Sequence, residues 1–404
     1  MISTVDYISV KNNEILTSDL ILKSIKEKKI IYLYNESNKF EKFLIDLNFD
    51  GPAVILQSSG SSKKSKLCIH KIQNLNNSAE ASGDWLKSQG FNLSESIIFN
   101  ALPLYHISGF MALWRSEIWK SEYVNISPNL LKNTKDLIDF SYSLKNINQK
   151  KLITSLVPTQ LFRLLQEKNG LNWLKMFDLI WIGGSKLSNN LFEKSRKENI
   201  NLAPCYGTTE TAAMVTSLKP SEFLNGHKNY GRILTDTQLR INNDGIIEIS
   251  SERIGYELKR NKNIRPFTNQ YGWWESGDYG KLIKKDNFYY LEVLGRKDNA
   301  FQSGGETVFP DVLKNRINEF ICIKNIPIKE LLICKKEDKL WGNRFEIILN
   351  FDYGISQKEI KNSIILLKKF SKNWPSHERP IKWIVAKEKS IFKKTFPKTW
   401  KNNL

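Results

Sequence analysis

A chain of 404 residues, 41% of them hydrophobic, is long enough to bury a large core and to divide into two or three domains. Its net charge of +19 admits nucleic acid, an anionic surface or a polyanionic small molecule as partner, while its four cysteines and four histidines show neither a CxxC pair nor an HExxH spacing, so a zinc centre or a disulfide framework is not expected. No basic N-terminal start runs into an apolar stretch and no run of eighteen apolar residues occurs, so the expected location is the cytoplasm, with reduced core thiols at Cys68, Cys205, Cys322 and Cys334.

In chain order, the first strong strand is "PAVILQ", followed by "SSGSSKKSK", a serine- and glycine-rich turn ahead of lysines. Such a turn at a strand's end is either a plain surface loop or an anion nest. In the second case Gly60 allows a tight backbone, Ser58, Ser59, Ser61 and Ser62 donate hydroxyls, and Lys66 adds charge. It is not a Walker A loop, because GxxxxGK[ST] is absent.

Apolar runs "ESIIFNALPL", "KLITSLVP", "FDLIWIGG" and "INLAPCYG" then alternate with amphipathic stretches "TQLFRLLQEKNGLNWLKMF" and "SNNLFEKSRKE". That rhythm predicts βαβ units and a mostly parallel sheet. "CYGTTETAAM" predicts a strand ending at Cys205 and a polar cluster opening a small-residue helix. Its bland reading is a capped helix start over Thr208–Thr211. Its functional reading is a nucleotide site: Tyr206 stacks on a base, Gly207 turns the chain, Thr208 and Thr209 offer hydroxyls to phosphate, and Glu210 holds magnesium.

After Gly231 the alternation in "QLRINNDGIIEISS" and "NFYYLEVLG" predicts antiparallel strands, a β subdomain over about 228–297. "WWESGDYGKL" places Asp278 in a turn between strands, where a carboxylate can accept both ribose hydroxyls, and "LGRKDNAFQSGGETVFP" supplies Arg296 as its support, Asp298 and the pair Gly304-Gly305. From Asp298 on, β and α patterns alternate for about 100 residues, which predicts a small separate α+β domain. The last 106 residues hold 21 Lys and Arg against 11 Asp and Glu, so the basic excess is concentrated there.

Taken together and in order, "SSGSSKKSK", "YGTTE", "ESGD" and "GRKD" resemble the phosphate loop, the Tyr-Gly-x-Thr-Glu, the Thr-Gly-Asp and the hinge Gly-Arg-x-Asp of the adenylate-forming enzymes, the superfamily of acyl- and aryl-CoA ligases, luciferases and peptide-synthetase adenylation domains. Within it, "LPLYHISGF", "TSLVPTQLFRLL" and "IWIGGSKLS" are most similar to the o-succinylbenzoate–CoA ligases of menaquinone and phylloquinone synthesis. The loop departs from the pattern at Lys63 and Ser65, where glycine and proline are usual, and Asn299 stands where a second aspartate is frequent.

The resemblance implies an α/β fold: a large domain over 1–297 with mostly parallel sheets and the antiparallel subdomain, then a mobile lid over 298–404. It also implies an ATP-dependent, AMP-forming acid–thiol ligase that needs magnesium and uses CoA as co-substrate. Its catalytic lysine aligns with Lys394 or Lys398, with Asp298 as hinge and Gly304 and Gly305 along the pantetheine arm. His106 lies near the acyl and CoA channel as a gate or as a contact to the activated carboxylate, Gly183, Gly184 and Ser185 lie along the aryl group, and Thr159 sits at the pocket wall. Another small aryl or acyl acid, or a degenerate adenylate-binding protein without turnover, stays open as the alternative. Nucleic-acid binding rests on charge alone and is not expected. The oligomeric state is open.

Overall fold

The computed structural model describes residues 2–10, 15–36, 46–58, 66–259, 262–285, 287–386 and 400–402. Among these, seven strands form a first sheet in the order Ile264–Pro266, Tyr256–Leu258, Leu67–Lys71, Ala53–Gln57, Ile30–Tyr34, Ile2–Ser9, Asp46–Asn48. Residues Ala53 to Leu56 are buried without alternation, as expected of a strand covered on both faces. Eleven strands form a second sheet. Its parallel half runs Leu202–Thr208, Leu179–Ile182, Lys151–Leu156, Ser96–Asn100, Glu122–Asn125.

The helices Ile72–Lys87 and Ile107–Trp119 pack on each other and carry apolar residues into two cores, one with Val54 and Leu56 of the first sheet and one with Leu179, Trp181 and Ala203 of the second. On the opposite face of the second sheet, Thr134–Tyr142, Pro158–Leu164, Lys168–Lys175 and Asn189–Lys197 close a core in which Phe99 meets Trp173 and Phe177 edge-on. The predicted single stretch from Thr159 to Phe177 is two helices, broken between Leu164 and Lys168.

The strands after Gly231 do not form a sheet of their own. Arg232–Ile233, Phe288–Arg296, Trp274–Lys285, Ile246–Ser250 and Gln238–Ile241 extend the second sheet in antiparallel fashion from Ala213–Ser217, and Tyr256–Leu258 with Ile264–Pro266 crosses over to complete the first. The Asn-Asp-Gly hairpin is present, with Asn242 Oδ1 accepting from the Asp244 and Ile246 amides.

From Phe301 on, the chain builds its own core of Leu313, Ile317, Leu331, Ile333, Phe345, Ile347 and Leu367. The hairpin Phe301–Ser303/Glu306–Val308, the helices Pro310–Ile323 and Gln357–Ser371, and a sheet ordered Lys382–Val385, Gly342–Phe351, Ile328–Asp338, Trp400–Asn402 surround it. This unit sits on the large one through Glu319, whose carboxylate accepts from the Asn189 amide at 3.1 Å and from Asn189 Nδ2 at 2.8 Å, and through Phe309, edge-on to Tyr279 at 5.0 Å. Of the thiols expected in cores, Cys68 and Cys334 are buried and Cys205 half-buried, but Cys322 is exposed at this junction, where Asn190 Nδ2 reaches its Sγ at 3.1 Å.

Candidate active site

Four neighbouring strands, Ser96–Asn100, Lys151–Leu156, Leu179–Ile182 and Leu202–Thr208, run parallel, so the segments that leave their C-terminal ends share one edge of the sheet. Ligands of open α/β sheets bind outside that edge. It collects His106, Thr159, Gly183, Gly184, Ser185 and the Tyr206–Glu210 segment, residues separated by up to 104 positions in sequence. His106 is half-buried at the N-cap position of Ile107–Trp119, with its ring 4.5 Å from Tyr105. Burial holds its pKa below the ordinary 6.5, so the imidazole is neutral at pH 7. Gln160 ties two of the strand ends: its Nε2 donates to the Ala101 carbonyl at 2.9 Å and its Oε1 accepts from the Val157 amide at 3.0 Å. Thr159, Gly184 and Ser185 are exposed along this edge.

The segment after Cys205 is not a helix start. The strand continues to Thr208, turns over Thr209–Ala212 and returns as the antiparallel strand Ala213–Ser217, with a bulge between Tyr206 and Gly207. Hydroxyls that would cap a helix instead close the turn: Thr211 Oγ1 accepts from the Thr208 amide at 3.0 Å and donates to the Ala213 carbonyl at 2.8 Å. Gly207 is required by close approach, because a Cβ there would lie 2.1 Å from the Ala213 oxygen. Ala212 and Ala213 have φ of 49° and 86°, a region that non-glycine residues occupy only when their surroundings impose it.

Asp278 lies within the strand Trp274–Lys285, not in a turn, directly opposite Arg296 of Phe288–Arg296. Tyr206 Oη donates to its Oδ2 at 2.8 Å and Arg296 to its Oδ1 at 3.3 Å, while Arg296 Nε reaches the exposed Asp298 at 3.2 Å. Burial pushes the Asp278 carboxyl above the usual carboxylate range, and Arg296 and the Tyr206 hydroxyl oppose that push. The same burial, with Asp278 beside it, drives the Tyr206 phenol far up, so it stays a donor. A carboxylate offers about four lone-pair sites, and two donors leave room for ribose hydroxyls.

The serine-rich loop is a hairpin loop between Ala53–Gln57 and Leu67–Lys71. Its neck is closed twice, by the Ser58 amide on the Lys66 carbonyl at 2.8 Å and the Lys66 amide on Ser58 Oγ at 3.0 Å. Ser59, Gly60, Ser61 and Ser62 lie outside the described residues, as do both candidate lysines, Lys394 and Lys398. Gly304 and Gly305, with φ of 61° and 85°, form the two-residue tip of the small unit's hairpin, as a pair of glycines readily does. Among the described residues no cluster of three or more His, Cys, Asp or Glu could hold a metal. Half-buried Glu210 is the one carboxylate of the turn. That fits magnesium, which keeps its waters and commonly takes one or two carboxylates plus nucleotide phosphates.

Sequence reasoning missed the buried polar residues that hold the turn and its surroundings. Asn74, Ser78 and Ser82, four apart and thus on one face of Ile72–Lys87, bond respectively to the Glu252 carbonyl, the Ala212 carbonyl and Arg115. The fully buried Arg253 pairs with Asp236 and donates to the Met214 carbonyl. His70, on Leu67–Lys71, donates through Nε2 to the Thr209 carbonyl at 2.8 Å. The signal was the four-residue spacing of small polar residues on the inner face of a helix.

Three comparisons with known proteins bear on this geometry. A curated 2-succinylbenzoate–CoA ligase of Listeria monocytogenes is 27% identical over 291 residues, 72% of this chain and 58% of the relative, so the chain spans less than two thirds of that protein's length. The structure is similar to that of an o-succinylbenzoate CoA synthetase from Bacillus subtilis in complex with its acyl-adenylate intermediate, with TM-score 0.68 and 20% identity, covering 96% of this chain and 85% of that one. The same Bacillus subtilis enzyme in complex with ATP and magnesium ion gives TM-score 0.67 at 19% identity, over 95% and 86%. The model of the AMP-binding enzymes matches residues 8–251, more than half of the sequence, and the chain belongs to that family.

Proposed function

We propose that this chain is an AMP-forming acid–CoA ligase whose acid is o-succinylbenzoate, placing it in the cytoplasmic synthesis of menaquinone or phylloquinone. The observation that carries the reading is the bonded set Tyr206, Asp278, Arg296 beside the segment Thr208–Glu210, at the end of four parallel strands. The names of the similar ligases supply the acid. Among the described residues no helix is long and apolar enough to cross a membrane.

A carboxylic acid of ordinary pKa, about 4, is ionised at pH 7, so attack of its oxygen on the α-phosphorus of ATP, with loss of pyrophosphate, needs no general base. The protein's part is to hold two anions in line and to stabilise the growing charge. Tyr206 packs on the base, Asp278 with Arg296 receives the ribose, Thr208, Thr209, Ser58 and the loop hydroxyls take phosphate oxygens, and Lys394 or Lys398 reaches the reacting oxygens. Glu210 would hold magnesium, which when bound would supply positive charge against the phosphates. His106, being neutral, can flank the acid without adding charge. The CoA sulfur then attacks the acyl carbon, AMP leaves, and the thiol proton passes to solvent. For that step the 298–404 unit turns about Asp298 and brings Gly304-Gly305 to the large domain, 1–297, of which about 228–297 is the β subdomain.

The test is a thioester assay with ATP, magnesium, CoA and o-succinylbenzoate on wild type, Lys394→Ala and Lys398→Ala. Wild type should form product, and one variant should lose about a hundredfold or more in the adenylation step. Full rates in both variants would sink the lysine assignment. Thioester formed from a different acid only would sink the substrate.

A further inference from the structure

The turn over Thr209–Ala212 is closed from within by Thr211 Oγ1 and by the Ala212 amide on the Thr209 carbonyl, and three of its carbonyl oxygens are also held from elsewhere in the fold. Thr209 O accepts from His70 Nε2, Glu210 O from the Gly255 amide at 3.0 Å, and Ala212 O from Ser78 Oγ at 2.5 Å. His70 and Ser78 are both completely buried, and each side chain is fixed in turn. Gly255 lies close against the imidazole, where a Cβ would lie 2.7 Å from the ring, and Ser78 is within 3.5 Å of Arg253 Nη1. With these carbonyls held from behind, Glu210 and Thr208 stay partly exposed and Thr209 is buried, while the Thr208 amide is taken up by Thr211 Oγ1 within the turn. The left-handed backbone at Ala212 and Ala213 follows immediately, and its cost has to be met by just such contacts.

We propose that His70 and Ser78 are positioning residues of the nucleotide site: they set the aim of Thr209 and Glu210 by gripping the turn from behind, without touching the ligand. This rests on the reading of that turn as the ATP- and magnesium-binding element. His70 serves only as a neutral donor. Its burial lowers the pKa to about 4, and Nδ1, which has no partner among the described residues, faces the glycine. His70 also links two motifs, since its strand leaves the neck of the serine-rich loop at Lys66. A shift of the ring therefore moves the turn relative to the loop.

The experiment is calorimetric titration of ATP with magnesium, acid and CoA omitted, on wild type, His70→Leu, His70→Gln and Ser78→Ala, each checked by thermal melt. His70→Leu removes the donor and should weaken binding about tenfold, with a higher magnesium concentration at half-saturation, whereas His70→Gln, which can place an amide near the Nε2 position, should recover most of it. Ser78→Ala deletes one hydroxyl and should give a loss of similar size in a folded protein. Steady-state kinetics should show KM for ATP rising with KM for the acid unchanged. Wild-type affinity and magnesium dependence in Ser78→Ala and His70→Leu would overturn the proposal, as would equal weakness of His70→Leu and His70→Gln. Because the titration contains no acid, a failed substrate assignment leaves its result readable.

Discussion

Tyr206 and Arg296 converge on one carboxyl from two different strands, and the meeting was invisible in the sequence because Tyr206 and Asp278 are 72 residues apart. What could be read was each residue type in its motif; what could not was that the phenol donates to the carboxylate expected to hold ribose. Asp278→Asn keeps the shape but removes the charge that Arg296 pairs with, so ATP affinity should fall about tenfold in a titration while the fold survives. A second expectation concerns His70. Its folded pKa of about 4 lies below the unfolded 6.5, so between these values the unfolded chain binds the extra proton and the folded one does not. Stability is therefore full above pH 6.5 and declines as pH falls toward 4, by at most about 1.4 kcal/mol per pH unit from this group. Melting curves of His70→Gln across that window should show a shallower decline than wild type.

Among elements, the four parallel strands and their following segments were legible because unbroken apolar runs ended in turn residues at each predicted edge. The Thr-Thr-Glu-Thr segment was misread as a helix start, since the same hydroxyls that cap helices also close turns. The deciding factor was non-local: Ala213–Ser217 finds a partner on each side, Leu202–Thr208 and Arg232–Ile233, and sheet pairing outweighs the helix preference of two alanines. Gly207 makes that pairing sterically feasible. Gly207→Ala should cost about 1–3 kcal/mol of stability, seen as a lowered melting temperature, because the new methyl must displace backbone of the returning strand. An unshifted melt would show that the bulge can open.

At the level of the molecule, the family match and the structural neighbours agree with the adenylate-forming fold read from the motifs, and the antiparallel strands expected over about 228–297 continue the two main sheets. Composition texture reported the change from parallel to antiparallel correctly; it carried no information on which sheet the strands would join. The small unit's seat depends on Glu319 at the N-terminus of Asn189–Lys197, where a carboxylate also meets the favourable end of the helix dipole. Glu319→Ala should leave the melting temperature nearly unchanged yet speed tryptic cleavage after the exposed Lys297. Unaltered cleavage would assign the seat to the Phe309–Tyr279 contact instead.

The crossing of Tyr256–Leu258 back to Leu67–Lys71 has a consequence for how the chain matures. Register partners Ile69 and Tyr256 are 187 residues apart, so the edge of the first sheet stays open until most of the second has been synthesised. An open, apolar edge on a nascent chain is an invitation to pair with another copy, and late long-range closure makes assembly slow. Fragments that stop short of Leu258 should therefore be recovered as aggregates, and expression at lower temperature, or with a chaperone that shields the waiting strand, should raise the soluble yield of the whole chain.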